Sequence, residues 1–450
     1  MGHSRTNTTK ESINRIEIIR LSSDGSGVGY LDGKTTFVQG MLPGEKGKVR
    51  ITTEKKNYQR AEVVEITEFS PERQDPPCGV FGACGGCDLQ HMHYAATLIW
   101  KRRWVTDVLQ RIGGLQNISV EPVLGMDTPW RYRNKALLHR DESGQWGYYR
   151  EKSTDVVLFS DCLLLSERTN ARIDRFQTIM GASCPGIRTA TFRESSRGKG
   201  LILLEGNTDE EKEALGARIR EMKNSDELAP DTCSILFPKE NKEYAGSGPL
   251  FLNTYMDDLR FKVSPGAFLQ VNPSQTEKLY AHVLAWADLR GEETVWDLYC
   301  GIGTISLMLA RKAGHVIGVE ENPDAVTDAE YNAEFNKVTN VRFIQGKTEK
   351  QLDKLERSSG KPDLVVVDPP RAGMDQAVIE RLLKIQPDRI IYVSCDPGTL
   401  ARDLKLLTQG TGEVDGIYSV KKIQPVDMFP WTRHVETIIK MTKCGSEGKK

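Results

Sequence analysis

The sequence lacks the features of a membrane-spanning or secreted protein. None of its apolar runs approaches the length of about 20 residues that a membrane-crossing helix needs, and its polar N-terminus has no signal-peptide core. It also lacks a charge excess: the formal net charge is -1 at pH 7, so affinity for a polyanion requires a local basic patch. The chain has 450 residues, 38% apolar and 27% charged, and is long enough for roughly two to four globular domains. We expect a cytoplasmic protein without a membrane partner.

Cysteine, in contrast, is present in an informative pattern. Nine cysteines in a long chain without a secretion signal indicate reduced thiols used as ligands or catalysts. Cys78, Cys84 and Cys87 lie close together in a glycine-rich stretch, which is typical of a metal site. A fourth ligand is required, and the candidates in the sequence are His91, His93 and Cys162. Zinc accepts a histidine and an iron–sulfur cluster prefers a thiolate, so the spacing leaves both metals open.

Residues 1–70 are predicted to form a small β-barrel. Five short strand-like runs are separated by the turn dipeptides Asp24-Gly25, Asp32-Gly33 and Pro43-Gly44. Between Lys46 and Arg60 six cations and a tyrosine accompany one glutamate. This composition indicates either a phosphate-facing surface of an oligonucleotide-binding barrel or a solvated hairpin.

Residues 71–270 are predicted to be an α+β region. A helix from Tyr94 to Ile112 carries cations around residue 102 that form a solvated face or a second basic patch. Between residues 130 and 140, cations alternate with aromatic and apolar residues, which predicts a strand with its cations on one face. That strand suits single-stranded nucleic acid or is an ordinary surface strand. Residues 188–266 are predicted to contain a strand at 200–204 and a charged helix at 210–223.

Residues 271–450 begin with the pattern of a doubly wound α/β domain. A strand from Thr294 runs through Asp297 into a loop with Gly301 and Gly303, and a helix follows. The third glycine of the dinucleotide fingerprint is missing, because Ser306 occupies its position, which weakens a dehydrogenase interpretation.

Two further carboxylates follow predicted strands of the same domain. Glu320 ends the second strand and is well placed for ribose hydroxyls, and Asp368 leads into two prolines that hold it at the cleft. The carboxyl ends of parallel strands form one edge of a sheet. We therefore expect Asp297, Glu320 and Asp368 to converge there.

Cys395 is the candidate nucleophile at that edge. It stands at a strand-to-helix turn, where Asp396 is a good N-cap and Pro397 suits the first helical position. The positive end of a helix favours a thiolate, although a structural cysteine fits the turn equally well.

These motifs together resemble the RNA uracil-C5 methyltransferase family, which uses S-adenosylmethionine. The resemblance rests on the glycine loop, Asp368-Pro-Pro-Arg, Ser394-Cys-Asp-Pro and His434-Val-Glu, in this order, and it extends over nearly the whole chain. It implies a Rossmann-like class I methyltransferase domain with Cys395 as nucleophile and Glu436 as base. The cofactor-binding residues that it implies are Gln270, Asp297, Tyr299, Gly301, Gly303, Thr304, Glu320 and Asp368.

The N-terminal half resembles the 23S rRNA branch of the family, with its TRAM barrel and iron–sulfur cluster. This implies a [4Fe-4S] cluster on Cys78, Cys84, Cys87 and Cys162, and domains at 1–70, 71–270 and 271–450. We expect a monomer whose partner is RNA, with 23S rRNA favoured. One departure is Asp396, where many members carry asparagine, which leaves open what surrounds the bound base.

Methylation of uracil C5 requires the same residue types for chemical reasons. Uracil C5 is a weak nucleophile, so a thiolate adds at C6 first, and a base later removes the C5 proton. A methyltransferase for exocyclic amines needs no thiol at Cys395. The remaining alternatives are a tRNA uracil-C5 methyltransferase and a non-catalytic RNA-binding protein.

Overall fold

The computed structural model describes residues 13–180, 186–206, 232–237, 242–247 and 252–445. The predicted multidomain architecture is confirmed: a β-barrel, a central mixed sheet and a C-terminal, mostly parallel sheet follow one another along the chain. The predicted charged helix at 210–223 lies outside these ranges. None of the helices within them is long and apolar enough to cross a membrane.

The N-terminal sheet closes on itself. Its strand order is β1-β5-β6-β4-β3-β2. Strands β1 and β2, which follow each other in the chain, therefore lie at opposite ends of the order. Gly29 is required at the closure, because a Cβ there would lie 2.3 Å from the Glu17 carbonyl oxygen. The barrel strands are β1 (Ile13–Glu17), β2 (Arg20–Leu21), β3 (Gly27–Leu31), β4 (Lys34–Val38), β5 (Lys46–Glu54) and β6 (Tyr58–Glu68).

Half of the six cations in the basic stretch of the barrel form ion pairs with the neighbouring strand. Because β5 and β6 are antiparallel, cations of β5 meet glutamates of β6 that lie beyond the basic stretch in sequence. The ion pairs join Lys46 to Glu68 at 2.9 Å, Lys48 to Glu65 at 2.7 Å and Arg50 to Glu62 at 2.9 Å. For these three cations the structure favours a solvated, ion-paired surface over a phosphate-facing one.

The central region is built on a seven-stranded sheet with the order β13-β12-β11-β10-β7-β8-β9. Helix α2 packs on one face of it, with Phe176 against Phe192 of β10. Its elements are α1 (Tyr94–Arg111), β7 (Lys135–Arg140), β8 (Trp146–Tyr149), β9 (Val156–Val157), α2 (Glu167–Met180), β10 (Ile187–Glu194), β11 (Gly200–Gly206), β12 (Thr232–Phe237) and β13 (Lys242–Ser247).

The strand predicted across residues 130–140 is wrong for its first half. Arg131 has a left-handed backbone with φ 56°, and its guanidinium binds Asp161 at 2.7 Å. Trp130 stacks on Trp431 with ring centroids 4.4 Å apart. These tertiary contacts outweigh the alternating pattern, and only β7 is a strand.

The C-terminal domain is a doubly wound sheet with the order β18-β17-β16-β19-β20-β22-β21. The first five strands are parallel and β22 runs antiparallel to β20. The order in which successive strands are added to the sheet reverses between β16 and β19. Ligands bind at this switch point in doubly wound sheets. The elements are the hairpin β14 (Leu252–Met256) and β15 (Leu259–Val263), then α3 (Pro273–Ala287), β16 (Thr294–Leu298), α4 (Thr304–Ala310), β17 (His315–Glu320), α5 (Pro323–Phe335), β18 (Val341–Gln345), α6 (Thr348–Ser359), β19 (Leu364–Val367), α7 (Gln376–Ile385), β20 (Arg389–Ser394), α8 (Pro397–Gln409), β21 (Tyr418–Val426) and β22 (Glu436–Lys443).

Alternate residues of the central strands pack into two separate hydrophobic cores, one on each face of the sheet. Val365 and Val367 of β19 pack with α6, α7 and α8, whereas Leu364 and Val366 pack with α3 and α4. This is the continuous apolar pattern of a parallel strand covered on both faces. Helix α1 from the central region also packs on this domain, since Val105 belongs to the first of these cores.

Candidate active site

Four predicted site residues meet at the carboxyl edge of the C-terminal sheet. Glu320 is the last residue of β17, Asp368 follows β19 directly, and Cys395 follows β20 directly. Asp297 lies one residue before the end of β16. Because these strands are parallel neighbours in one sheet, their ends share one edge, as the sequence predicted.

Glu436 reaches the same edge from the antiparallel strand. It is the first residue of β22. Ser394 is paired with Thr437 across β20 and β22, so the next opposed positions are Cys395 and Glu436. Side chains opposed in this way have Cβ atoms about 5 Å apart. The thiol and the carboxyl therefore face one small space.

The glycine loop between β16 and α4 leaves an open side for a ligand. Its backbone is left-handed at Tyr299, Gly301 and Gly303, with φ values of 66°, 55° and 81°. A Cβ added at Gly301 would meet no atom within 4 Å. The Gly301 N–H donates to a carboxylate oxygen of Glu320 at 3.0 Å, and the Asn322 N–H donates to the other at 2.8 Å. Glu320 is thus held in a fixed orientation beside the loop.

Asp297 lies behind this loop and is fully buried. One carboxyl oxygen accepts a hydrogen bond of 2.5 Å from Ser306 Oγ, and the other has no partner in the structure. The serine that replaces the third fingerprint glycine therefore anchors the aspartate. Burial raises the pKa of Asp297 to about 7.

The electrostatics of the cleft favour protonated groups in the free protein. Burial, reinforced by Asp368, raises the pKa of Glu436 to about 8. Burial and the nearby Asp297 likewise raise the pKa of Asp368 to about 7. Carboxyls crowded in one dry space resist ionisation together.

The helix turn at Cys395 does not lower the pKa of its thiol. The local geometry is confirmed: Asp396 caps α8 by accepting a 2.9 Å hydrogen bond from Thr399 N, and Pro397 opens the helix. However, burial and then the Glu436 charge raise the pKa of Cys395 to about 11. Desolvation and like charge outweigh the helix terminus. A thiol must lose its proton before it can act as a nucleophile.

Arg371 is a site residue that sequence reasoning missed. Its charge lowers the pKa of both Cys395 and Glu436, opposing the effect of burial. One of its nitrogens lies 3.5 Å from His434 Nε2. The signal was available, because Arg371 ends the Asp-Pro-Pro-Arg motif that directly follows β19.

Gln270 and Thr304 lie on elements next to this edge. Gln270 is 7% exposed, and its carbonyl oxygen accepts a 3.0 Å hydrogen bond from Asn134 of the central region. Thr304 opens α4 and its hydroxyl lies 3.2 Å from the Tyr280 hydroxyl of α3. Burial, and then the charges of Asp368, Asp297 and Glu436, raise the pKa of Tyr280, which places that ring beside the cleft.

The loop from Asp427 to Val435 is held by a buried ion pair. Lys101 and Asp427 are both fully buried, with 2.5 Å between Nζ and a carboxylate oxygen. Tyr94 donates to the other oxygen at 2.7 Å. Lys101 thus belongs neither to a solvated face nor to a basic patch, the two alternatives for the α1 cations. It anchors the loop that leads into Glu436.

The same loop is joined to the cysteine segment. The Asp88 and Leu89 N–H groups donate to the Trp431 carbonyl oxygen at 2.9 and 3.0 Å. The Asp88 carboxylate accepts 3.0 Å and 3.2 Å hydrogen bonds from Arg433 N and Nη1. Sequence reasoning missed this contact, because the two segments are 345 positions apart.

The four predicted cluster ligands line one cavity of about 190 Å³, away from Cys395. Neither His91 nor His93 lines it. His91 is buried and its ring nitrogens have no hydrogen-bond partner among the described residues, and His93 Nδ1 lies 3.1 Å from Gln74 Oε1. No group of three or more His, Cys, Asp or Glu side chains among the described residues is arranged to hold a metal ion. The cavity's predicted ligands are Cys78, Cys84, Cys87 and Cys162.

Comparisons with known proteins agree with this geometry. The family model described as tRNA (Uracil-5-)-methyltransferase matches residues 251–444, and the TRAM domain model matches residues 8–64. An "uncharacterized RNA methyltransferase" of Halalkalibacterium halodurans is 38% identical, over 97% of this chain and 98% of the relative. A second, from Listeria innocua, is 39% identical over 94% and 96%. The chain belongs to the RNA uracil-C5 methyltransferase family.

A solved structure of this family has the same fold over nearly the whole length. It is the Pyrococcus abyssi tRNA (uracil-54, C5)-methyltransferase in complex with S-adenosyl-L-homocysteine. The TM-score is 0.71 at 25% identity, covering 95% of this chain and 100% of that one. The protein is accordingly an S-adenosylmethionine-dependent RNA methyltransferase with an N-terminal TRAM domain.

Proposed function

We propose that this protein methylates C5 of a specific uridine in 23S rRNA through a covalent bond between Cys395 and uracil C6. The observation that carries the proposal is the register of β20 and β22, which opposes Cys395 and Glu436 at the cofactor edge of the sheet. A nucleophile and a base must both reach the same ring carbons, C6 and C5, which are neighbours. An exocyclic-amine methyltransferase has no use for this pair.

In the proposed reaction, the Cys395 sulfur adds to C6 and electron density moves to C5. Bound S-adenosylmethionine would supply the electrophilic methyl group that C5 takes up, with S-adenosylhomocysteine as the leaving group. Glu436 then removes the C5 proton, the bond between sulfur and C6 breaks, and the C5–C6 double bond forms again. The raised pKa of Glu436 suits a group that must take up this proton. Because C5 is inaccessible in a stacked strand, the uridine must turn out into the cleft.

The cofactor would lie along the glycine loop. Gly301 and Gly303 would let the backbone approach it, and the fixed Glu320 carboxylate suits ribose hydroxyls. The further residues proposed to contact the cofactor are Gln270, Tyr299, Thr304 and Asp368. Asp297 acts from behind the loop through Ser306.

The donor set of the cysteine cavity, four thiols lining one space, supports the proposal of a [4Fe-4S] cluster, although the described side chains are not arranged to hold a metal ion. Burial, and then the charges of Cys162 and Cys78, raise the pKa of Cys84, so a bound metal would have to stabilise the thiolates. The Gly86 N–H lies 3.4 Å from Cys84 Sγ, a contact that stabilises a thiolate ligand. We infer a structural role, since methyl transfer to uracil moves no electrons to the protein.

Transfer RNA is the second candidate substrate, because the similar Pyrococcus abyssi enzyme is named for a tRNA uridine. We further propose that the protein acts as a cytoplasmic monomer, with the barrel at 1–70 and the cluster region at 71–270 guiding RNA to the domain at 271–450.

The test is methyl transfer from labelled S-adenosylmethionine to RNA of cells that lack the gene. Ribosomal and transfer RNA are separated, digested to nucleosides and mapped. The proposal predicts label in 5-methyluridine of 23S rRNA. Label confined to tRNA favours the second candidate, and label in any other nucleoside refutes both.

A further inference from the structure

Two cations oppose each other across the central sheet. Lys135 of β7 and Arg193 of β10 are direct partners in the antiparallel register, so their side chains lie on the same face about 5 Å apart. Arg193 is only 7% exposed, and Lys135 is partly buried. Like charges placed opposite each other in a sheet are destabilising, and burial increases this cost.

Neither cation forms an ion pair in the part of the chain that the structure describes. Arg193 donates one hydrogen bond of 2.7 Å to the Ala267 carbonyl oxygen, and its Nε and Nη1 have no partner. Glu205 is the one carboxylate whose charge favours Lys135 ionisation, and it accepts a 2.7 Å hydrogen bond from Thr189. Burial lowers the pKa of both cations, and for Lys135 the charge of Arg193 adds to the effect. Among the described residues the pair therefore has no carboxylate in ion-pair contact.

The pair adjoins the segment that leads into the active site. Arg193 binds Ala267, and Asn134, next to Lys135, holds the carbonyl oxygens of Gln270 and Val271 at 3.0 and 2.9 Å. Between these anchors Phe268 is 68% exposed. An anion at Lys135 would thus lie beside the predicted cofactor and uridine cleft.

We propose that Lys135 and Arg193 bind a backbone phosphodiester of the RNA next to the uridine in the active site. This inference rests on the proposed function. Lys135, the more exposed of the two, makes the contact, and Arg193 adds charge from its buried position. A phosphodiester supplies the missing negative charge and carries no sequence information, so the pair fixes the position of the strand and not its sequence. The other anion available at this edge is the carboxylate of S-adenosylmethionine.

The test uses Lys135→Met and Arg193→Gln, the second of which keeps a donor for Ala267. Binding of a short fluorescein-labelled oligouridylate is followed by anisotropy over a range of salt concentrations. Each variant should bind about tenfold more weakly. The slope of log affinity against log salt should become shallower by about 0.7, the value for one phosphate contact on a single strand. As matched control, Lys361→Gln removes a cation that is already paired with Asp388 at 3.2 Å, and it should change neither quantity.

Two further measurements separate the alternatives. In both variants the affinity for S-adenosylhomocysteine, measured by calorimetry, should stay at the wild-type value. A lower affinity for S-adenosylhomocysteine with unchanged RNA affinity would assign the pair to the cofactor carboxylate. The melting temperature of free Lys135→Met should equal or exceed that of wild type, because an unpaired charge is removed. The inference is overturned if both variants keep the oligouridylate affinity and the salt slope of the wild type. It is also overturned if the wild type does not bind oligouridylate at low salt. If wild type binds oligouridylate but forms no 5-methyluridine in RNA of cells that lack the gene, the proposed function fails instead.

Discussion

Replacing Glu436 with glutamine should stabilise the free protein at neutral pH and stop turnover after the nucleophile has added. Glu436 is 2% exposed, one of its carboxyl oxygens has no hydrogen-bond partner in the part of the chain that the structure describes, and its pKa is raised from 4.5 to about 8. A carboxyl whose pKa is raised by folding contributes stability that is fully present below pH 4.5 and is lost as pH rises through 8. Glutamine carries no charge and avoids this loss.

The size of the effect follows from the two pKa values. At pH 7 the unfolded chain ionises Glu436 almost completely, whereas the folded protein mostly keeps it protonated. Since one pKa unit corresponds to about 1.4 kcal/mol, the penalty at pH 7 is about 3 kcal/mol. At pH 5 the same calculation gives about 1 kcal/mol. The stability gained by Glu436→Gln should therefore grow with pH.

The assay is thermal unfolding of wild type and variant without RNA at both pH values, followed by incubation with RNA and S-adenosylmethionine. We expect a higher melting temperature for the variant, by several degrees at pH 7, and a band of protein-bound RNA on a denaturing gel. Glu334→Gln, an exposed change on α5, should show neither effect. A stability difference that does not change with pH, or a variant that turns over normally, would refute the reasoning.

Four other predictions follow from contacts around the site. Lys101→Met should lower the free energy of unfolding, measured by urea denaturation, by about 3–5 kcal/mol, because it leaves a buried Asp427 carboxylate unpaired. Adding Asp427→Asn should restore most of this free energy, and purely additive losses in the double variant would contradict a coupled pair. Asp88→Asn should lower kcat more than it raises KM and should accumulate covalent RNA adduct, since it loosens the loop before Glu436; an effect on KM alone would exclude this positioning role. The methylation rate should rise with pH through about 8, where Glu436 ionises, and a flat profile would argue against this base. Protein purified without oxygen should contain iron and sulfide, and Cys162→Ser should lower both; zinc without sulfide in wild type would overturn the cluster assignment.

Local motifs could be predicted from the sequence because their causes are local. Asp396 caps α8 as expected, since a cap depends on neighbouring residues only. The glycine loop and the carboxylates at strand ends were placed correctly for the same reason, because the alternation of strand and helix fixes which ends share an edge. The raised pKa of Cys395 could not be predicted in this way, because burial depends on elements far along the chain.

Pairings between distant strands could not be predicted. The opposition of Cys395 and Glu436 depends on the register of β20 and β22, which no local pattern specifies. In the barrel, counting charges along β5 indicated a basic surface, yet the ladder brings glutamates of β6 against it. Likewise, nothing in the sequence of α1 indicates that Lys101 is buried against a residue 326 positions away.

The central claim is the covalent bond from Cys395 to uracil C6, and RNA containing 5-fluorouridine tests it most directly. Fluorine at C5 cannot be removed as a proton, so a reaction that begins with thiol addition stops at the methylated adduct. The account predicts a complex that survives denaturation and requires S-adenosylmethionine for the added methyl mass, with the modified nucleotide mapped by mass spectrometry to Cys395. Cys395→Ala should form none. An adduct on another residue, or methylated RNA released by the Cys395→Ala protein, would contradict the account.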